Sequence, residues 1–175
     1  MSSVNSPTGR QAVPHEPGTG GPPKGRLLHA ELAALVADLR HGDTVCVGDA
    51  GAGTHSKTLI PLDPGVRRID LGIATGVPLV TDVVDALVRA GDFRAAVVGN
   101  FTVEYNQPMH AFLVDHFGEA RVTEVQHFPE WYKLRDRARA HIQTGDHSVA
   151  ANVILVAGPP GPDRHAAGPD RAPGA

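Results

Sequence analysis

Three short apolar runs constrain this chain more than any other feature: Val45-Cys46-Val47, Ala95-Ala96-Val97-Val98 and Val153-Ile154-Leu155-Val156-Ala157. Each is too short for a helix and closes on a glycine (Gly48, Gly99, Gly158). Each therefore reads as the centre of a strand hidden on both faces, over 44–48, 94–101 and 153–157. Two further strands are expected over 68–73, where Arg68-Ile69-Asp70-Leu71-Gly72-Ile73 alternates, and over 122–125. Helical spacing of Leu28, Leu32, Leu35, Val36 and Leu39 predicts a helix over 28–40. The same argument predicts helices over 81–90, stopped by Gly91, and 108–118, with Met109, Phe112, Leu113 and Phe117 on one side. A last helix is expected from Pro129 to about Thr144, with Trp131, Leu134, Ala138 and Ile142 on one face and Gly145 as its stop. Strands that alternate with helices make an α/β domain, a three-layer sandwich with a largely parallel sheet and helices on both faces.

The domain does not use the whole chain. Ten of the fifteen prolines lie in residues 1–24 and 159–175. Such Pro/Gly-rich ends cannot bury enough apolar surface to order themselves, which leaves 25–158 as the folding unit. That unit carries 12 Lys and Arg against 16 Asp and Glu. A net negative, aromatic-poor domain is a poor candidate for a nucleic-acid binder. No stretch approaches the ~20 apolar residues of a membrane span, and the first residues carry neither the basic nor the apolar part of a secretory signal. Cys46 is the only cysteine. No disulfide or cysteine metal cage is possible within one chain, and a cytoplasmic setting is the expectation.

Common cofactor and nucleophile signatures are absent: no GxGxxG, P-loop, HExxH or GxSxG. Histidine is what stands out, with ten in the chain. His41 lies in the turn before the first strand. His55 lies in a long Gly-rich stretch, Asp49 to Arg68, and His127 follows the strand 122–125. His41 reads either as a helix-end residue that complements the dipole or as a general acid/base titrating near neutrality. Asp49 reads either as a turn residue or as a carboxylate at a strand end that grips a hydroxyl. His55 and His127 are either solvated loop residues or, with His41 and Asp49, metal ligands. No tight spacing supports a metal site, and none is expected.

Further segments fit one pattern. Leu39-Arg40-His41-Gly42-Asp43-Thr44, then Val47-Gly48-Asp49-Ala50-Gly51, are followed in order by Arg68-Ile69-Asp70, Thr75-Gly76-Val77-Pro78, Asn106-Gln107-Pro108-Met109-His110 and Asn152-Val153-Ile154-Leu155. Over roughly 24–158 the chain resembles the D-ribose pyranase and L-fucose mutarotase family of sugar mutarotases. The resemblance implies a ribose-pyranase-like fold and an isomerase that exchanges pyranose and furanose forms, or anomers, of a free monosaccharide without metal or cofactor. It implies His41 as the acid/base, and Asp49, His127, Asn152 and the Ala150–Ala151 backbone as the sugar ligands. His55, Tyr132 and Lys133 are additional candidates. It also implies a homo-oligomeric ring, decameric or built on pentamers, with sites near subunit contacts.

The sequence departs from that family in three places. Ala150 stands where the family usually has a tyrosine, two residues before the final Asn. The loop after Asp49 is longer than in ribose pyranases, and its His55-Ser56 pair is closer to the fucose type. Both tails are extra. Two other functions therefore stay open: a pathway-specific isomerase or cyclase acting on a modified sugar or other polyhydroxylated metabolite, and a catalytically silent sugar-binding or regulatory protein.

Overall fold

The apolar runs become the middle of a sheet. In the computed structural model, which describes residues 25–159, the strands are β1 (Thr44–Gly48), β2 (Arg67–Asp70), β3 (Phe93–Gly99), β4 (Val122–Val125), β5 (Ala140–Gln143) and β6 (Val153–Ala157). They lie side by side in the order β2-β5-β1-β6-β3-β4. Three pairings are parallel, β1 with β5, β2 with β5 and β3 with β4. β6 runs antiparallel to both of its neighbours, β1 and β3. The sheet is thus mixed rather than uniformly parallel. The cause is the short link from Gln143 to Val153: a parallel return needs a crossover of about a dozen residues or more, so the chain turns at the end of β5 and comes straight back.

Five helices connect the strands: α1 (Ala30–Asp38), α2 (Val80–Ala90), α3 (Asn100–Tyr105), α4 (Gln107–Phe117) and α5 (Tyr132–Arg135). The starts and stops follow local chemistry. The Asp82 carboxylate accepts from the Leu79 N–H at 3.0 Å ahead of α2. Asn106 accepts from the Met109 N–H at the start of α4, and Gly118, at φ 81°, closes it.

The two faces of the sheet are covered unequally. On one face Leu32 and Leu35 of α1, Val80, Val83, Val84 and Leu87 of α2, and Met109 and Leu113 of α4 pack on Val45, Val47, Ala96, Val98, Ile142, Val153 and Leu155. Side chains alternate along a strand, so Cys46 and Ile154 point the other way. There they meet Trp131 and Ala138 beside α5, with Val97, Val125 and Tyr132 packed at the edge, in a far smaller cluster. The thin layer leaves room for a cavity.

One sequence expectation needs correction. The helix expected over 129–144 ends at Arg135, and Ala140–Gln143 is a strand buried at every position between β2 and β1. The helical spacing of Trp131, Leu134, Ala138 and Ile142 is a coincidence of two elements. The strand carries His141 and Gln143 on its cavity side, so it shows no apolar run, only four residues of alternation that the helical spacing overrides. α3, at the end of the expected strand 94–101, is the other element absent from the sequence reading. The Pro/Gly-rich ends lie outside the described residues. Among those described, no helix is long and apolar enough to cross a membrane.

The turn that sends the chain back toward β6 is tightly seated. Gly145 accepts from the Gly76 N–H at 2.6 Å and donates to the Pro78 carbonyl at 3.1 Å. A Cβ at Gly145 would collide with the backbone carbonyls of Ala74 and Val77. Backbone cannot yield as a side-chain tip can, so Gly145→Ala should destabilise the protein by roughly 1–3 kcal/mol, read as a lowered urea midpoint at unchanged slope.

Candidate active site

The reversal of β6 decides where the polar residues meet. Because β6 is antiparallel, its leading residues 150–152 lie at the edge where β1, β3, β4 and β5 end. That edge is where open α/β sheets hold ligands. Asp49 follows β1, Phe101 follows β3 in α3, His127 follows β4, and Asn152 precedes β6. These residues line one cavity of about 250 Å³ together with Tyr105, Trp131, Tyr132, Arg135, His141 and Ala150. The volume falls below the roughly 300–1,000 Å³ of sites for drug-sized ligands and suits a smaller molecule.

Asn152 donates from Nδ2 to the Asp49 carboxylate at 2.8 Å. The glycine before Asp49 leaves Asn152 its room: a Cβ at Gly48 would stand 2.9 Å from Asn152 Oδ1 and 3.0 Å from His141 Nε2. Burial raises the pKa of the Asp49 carboxyl above its ordinary 3.8, while the bonds from Asn152 and the Gly51 N–H oppose the rise. The His127 ring stacks between Phe101 (centroids 4.6 Å, 19°) and Trp131 (5.8 Å, 17°), with Tyr132 edge-on at 5.2 Å. Its backbone N–H donates to Asn100 Oδ1 at 2.8 Å. Burial lowers its pKa, which favours the neutral ring. Ala150 adopts the left-handed backbone (φ 52°). Its carbonyl accepts from Thr102 Oγ1 at 2.8 Å and from the Asn152 N–H at 2.9 Å, so α3 holds the turn.

The long loop after Asp49 is fastened at both ends. Gln143 on β5 donates to the carbonyls of Ala50 (3.1 Å) and Ala52 (3.3 Å), and its Oε1 accepts from Thr54 Oγ1 and Arg68 Nε. Arg135 is 2% exposed. It donates to the carbonyls of Gly53, Ile60 and Pro61, pairs with Asp136, and lies 4.7 Å over the Tyr132 ring. With its donors so engaged, Arg135 holds the loop rather than a ligand.

The sequence-expected residues divide accordingly. Asp49, His127, Ala150, Asn152 and Tyr132 share the cavity. Ala151 is buried behind it, its N–H donating to the Ser148 carbonyl. Lys133 is exposed outside it. His55 lies in a neighbouring groove with Arg68, Asp70 and His147. His41 lies at the opposite end of β1, exposed beside a groove formed with α1, Asp92 and Gly158. Five strand residues at about 3.3 Å each separate it from Asp49 by roughly 15 Å or more. Among the described residues, no three His, Cys, Asp or Glu side chains come together as metal ligands do. Sequence reasoning missed Phe101, Tyr105, Arg135 and His141 as wall residues. Trp131 it named only on the apolar face of an expected helix.

Similarity to known proteins agrees with this geometry. Residues 23–160 match the RbsD / FucU transport protein family. A D-ribose pyranase of Symbiobacterium thermophilum is 38% identical over 135 residues, which span 77% of this chain and 96% of that protein. The chain belongs to the RbsD/FucU family. The structure of Bacillus subtilis RbsD complexed with D-ribose superimposes with a TM-score of 0.67 at 31% identity, covering 75% of this chain and 94% of that one. FucU of Bifidobacterium longum, at 16% identity and a TM-score of 0.57 over 74% of this chain and 93% of that one, has the same fold.

The raised Asp49 pKa has a measurable sign. A carboxyl that holds its proton more tightly when folded contributes stability fully below its ordinary value, and loses it as pH rises through the raised value. Asp49→Asn removes that loss and keeps an acceptor for Asn152. The variant should be at least as stable as the parent at neutral pH, and its advantage should vanish in mild acid. Denaturant midpoints across that range check both.

Proposed function

We propose that this member of the RbsD/FucU family is a sugar mutarotase that opens and recloses a free monosaccharide such as D-ribose, exchanging pyranose and furanose forms. The observation that carries the reading is the convergence of Asp49, His127 and Asn152 in one small polar cavity, in a chain 38% identical to a D-ribose pyranase. Opening a hemiacetal requires one proton removed from the anomeric hydroxyl and one delivered to the ring oxygen. Reclosure through a different hydroxyl changes the ring size, and reclosure on the other carbonyl face changes the anomer. Asp49 and Asn152 hold sugar hydroxyls, and the fixed His127 ring presents a polar edge beside them. A lone, buried Cys46 suits a reducing, cytoplasmic setting.

In this reading His41 moves the protons, and within one chain it is too far from Asp49 to do so. A neighbouring copy brings it. The lining of the cavity includes exposed apolar residues, Phe101, Tyr105 and Val149. Such residues are suited to be covered by another surface. Joining the mouth of one copy to the His41 end of the next is a head-to-tail contact, and such contacts form a ring when the rotation between copies closes.

Saturation-transfer NMR on D-ribose tests this. The parent should exchange pyranose and furanose signals faster than buffer. His41→Ala and Asp49→Asn should each lose at least 100-fold, in line with general acid–base catalysis worth roughly 10²–10⁴. Mixing the two inactive variants and letting subunits exchange should restore activity at contacts where an intact His41 meets an intact Asp49. Full activity of His41→Ala alone removes it from the mechanism. Sugar binding without any exchange in the parent favours a silent binding protein, the reading that Ala150 in place of a tyrosine keeps in view.

A further inference from the structure

Among the described residues, the buried side-chain nitrogens and oxygens without a hydrogen-bond partner are three: Trp131 Nε1, His141 Nδ1 and His141 Nε2. The other buried polar side chains, such as Thr102, Gln143 and Asp146, are all bonded. Unpartnered buried polar atoms are rare in folded proteins and call for an explanation one by one. Here they share an address: Trp131 and His141 line the same cavity as Asp49 and Asn152. His141 is 0% exposed and Trp131 3%. The space beside Gly48 brings His141 Nε2 next to Asn152 Oδ1, so the ring adjoins the polar pair already described.

The chemistry of the two side chains narrows the ligand. The Trp131 indole N–H donates only. Burial, reinforced by Arg135 and Arg68, lowers the His141 pKa to about 4. The ring is therefore neutral near pH 7, with one nitrogen donating and the other accepting. A wall with two donors and one acceptor is not satisfied by an apolar group. A carboxylate offers no proton to the acceptor and faces the Asp49 carboxylate. A hydroxyl both gives and receives. Ala150 leaves the opposite position without the phenol that the family resemblance leads one to expect.

We propose that Trp131 and His141 form an inner, hydroxyl-selective subsite, in which hydroxyls of a neutral sugar bond to the indole N–H and to the imidazole and so determine which sugar this chain accepts. The proposal rests on the mutarotase reading for its choice of ligand class. It assigns recognition to the α5–β5 side of the cavity.

Calorimetry and saturation-transfer NMR with D-ribose and each of its monodeoxy analogues, on the full chain and on Trp131→Phe, His141→Val and His141→Gln, test it. Trp131→Phe and His141→Val remove groups that make no bond in the free protein, so their melting temperatures should equal or exceed the parent's. Both should bind D-ribose about tenfold more weakly, a loss of about 1.4 kcal/mol. Each should also lose the preference for D-ribose over one particular deoxy analogue. His141→Gln, which keeps a donor and an acceptor, should retain that preference. Unchanged affinity and unchanged discrimination in both Trp131→Phe and His141→Val overturn the subsite and leave the mutarotase reading standing if exchange persists. So does a ribose-bound crystal structure with ordered waters, not sugar, on these nitrogens. Binding without exchange in the parent, with discrimination lost in the variants, overturns the mutarotase reading and supports the subsite. A parent that binds no member of the panel overturns both.

Discussion

The site depends on the direction of β6. An antiparallel strand between β1 and β3 places its own beginning beside their ends, and this brings Asn152 to Asp49 across 103 residues of sequence. A parallel strand there would have put Asn152 at the other edge, with His41. The short link from β5 makes the reversal unavoidable, and the fit of Gly145 against the 74–78 turn keeps that link short. Gly48 completes the arrangement, since any side chain there would fill the space in which Asn152 and His141 meet.

Unequal coverage of the sheet follows from the same layout. Three helices close one face with a continuous apolar core, and stability lives there. The opposite face carries only the α5 segment, so the polar strand positions Arg68, His141 and Gln143 are free to serve the cavity side. Arg68 and Gln143 are used to hold structure, Arg68 Nε donating to Gln143 Oε1. Gln143 ties both ends of the residue 50–54 stretch to β5, and Arg135 draws residues 53–61 against α5 by their carbonyls. The loop that is long in sequence is thus fastened at several points. His141 is the polar residue of this face whose bonds are missing.

Most of the fold was legible because it is written in apolar pattern. Thr44–Gly48 and Val153–Ala157 are strands at their expected bounds, the helix expected over 81–90 starts one residue earlier, and the one expected over 108–118 starts and ends one residue earlier. The family motif placed Asp49, His127 and Asn152 at one site. Illegible were the elements whose residues face the cavity. Ala140-His141-Ile142-Gln143 alternates small or apolar with polar, like a half-exposed strand, yet it is central and buried, because its polar side faces the cavity rather than solvent. Helical spacing from Trp131 onward then hid the break at Arg135, a residue whose charge suggested solvent and whose role is to be buried. Likewise no local pattern could tell that His41 and Asp49, eight residues apart, stand at opposite ends of one strand.

If His41 moves the protons, as proposed, that separation means that one chain is not the working unit. A histidine suited to proton transfer and a carboxylate suited to hold a sugar lie at opposite edges of the same sheet, each beside a groove. Folding cannot bring them together, because β1 is buried from Val45 to Gly48 and fixed on both sides by β5 and β6. In the proposed reading a second copy does so, and the exposed Phe101, Tyr105 and Val149 of the cavity lining are the surface against which it would seat. Closing the mouth in that way would also exclude water from Asp49 and His127, strengthening the hydrogen bonds on which proton transfer to a sugar depends.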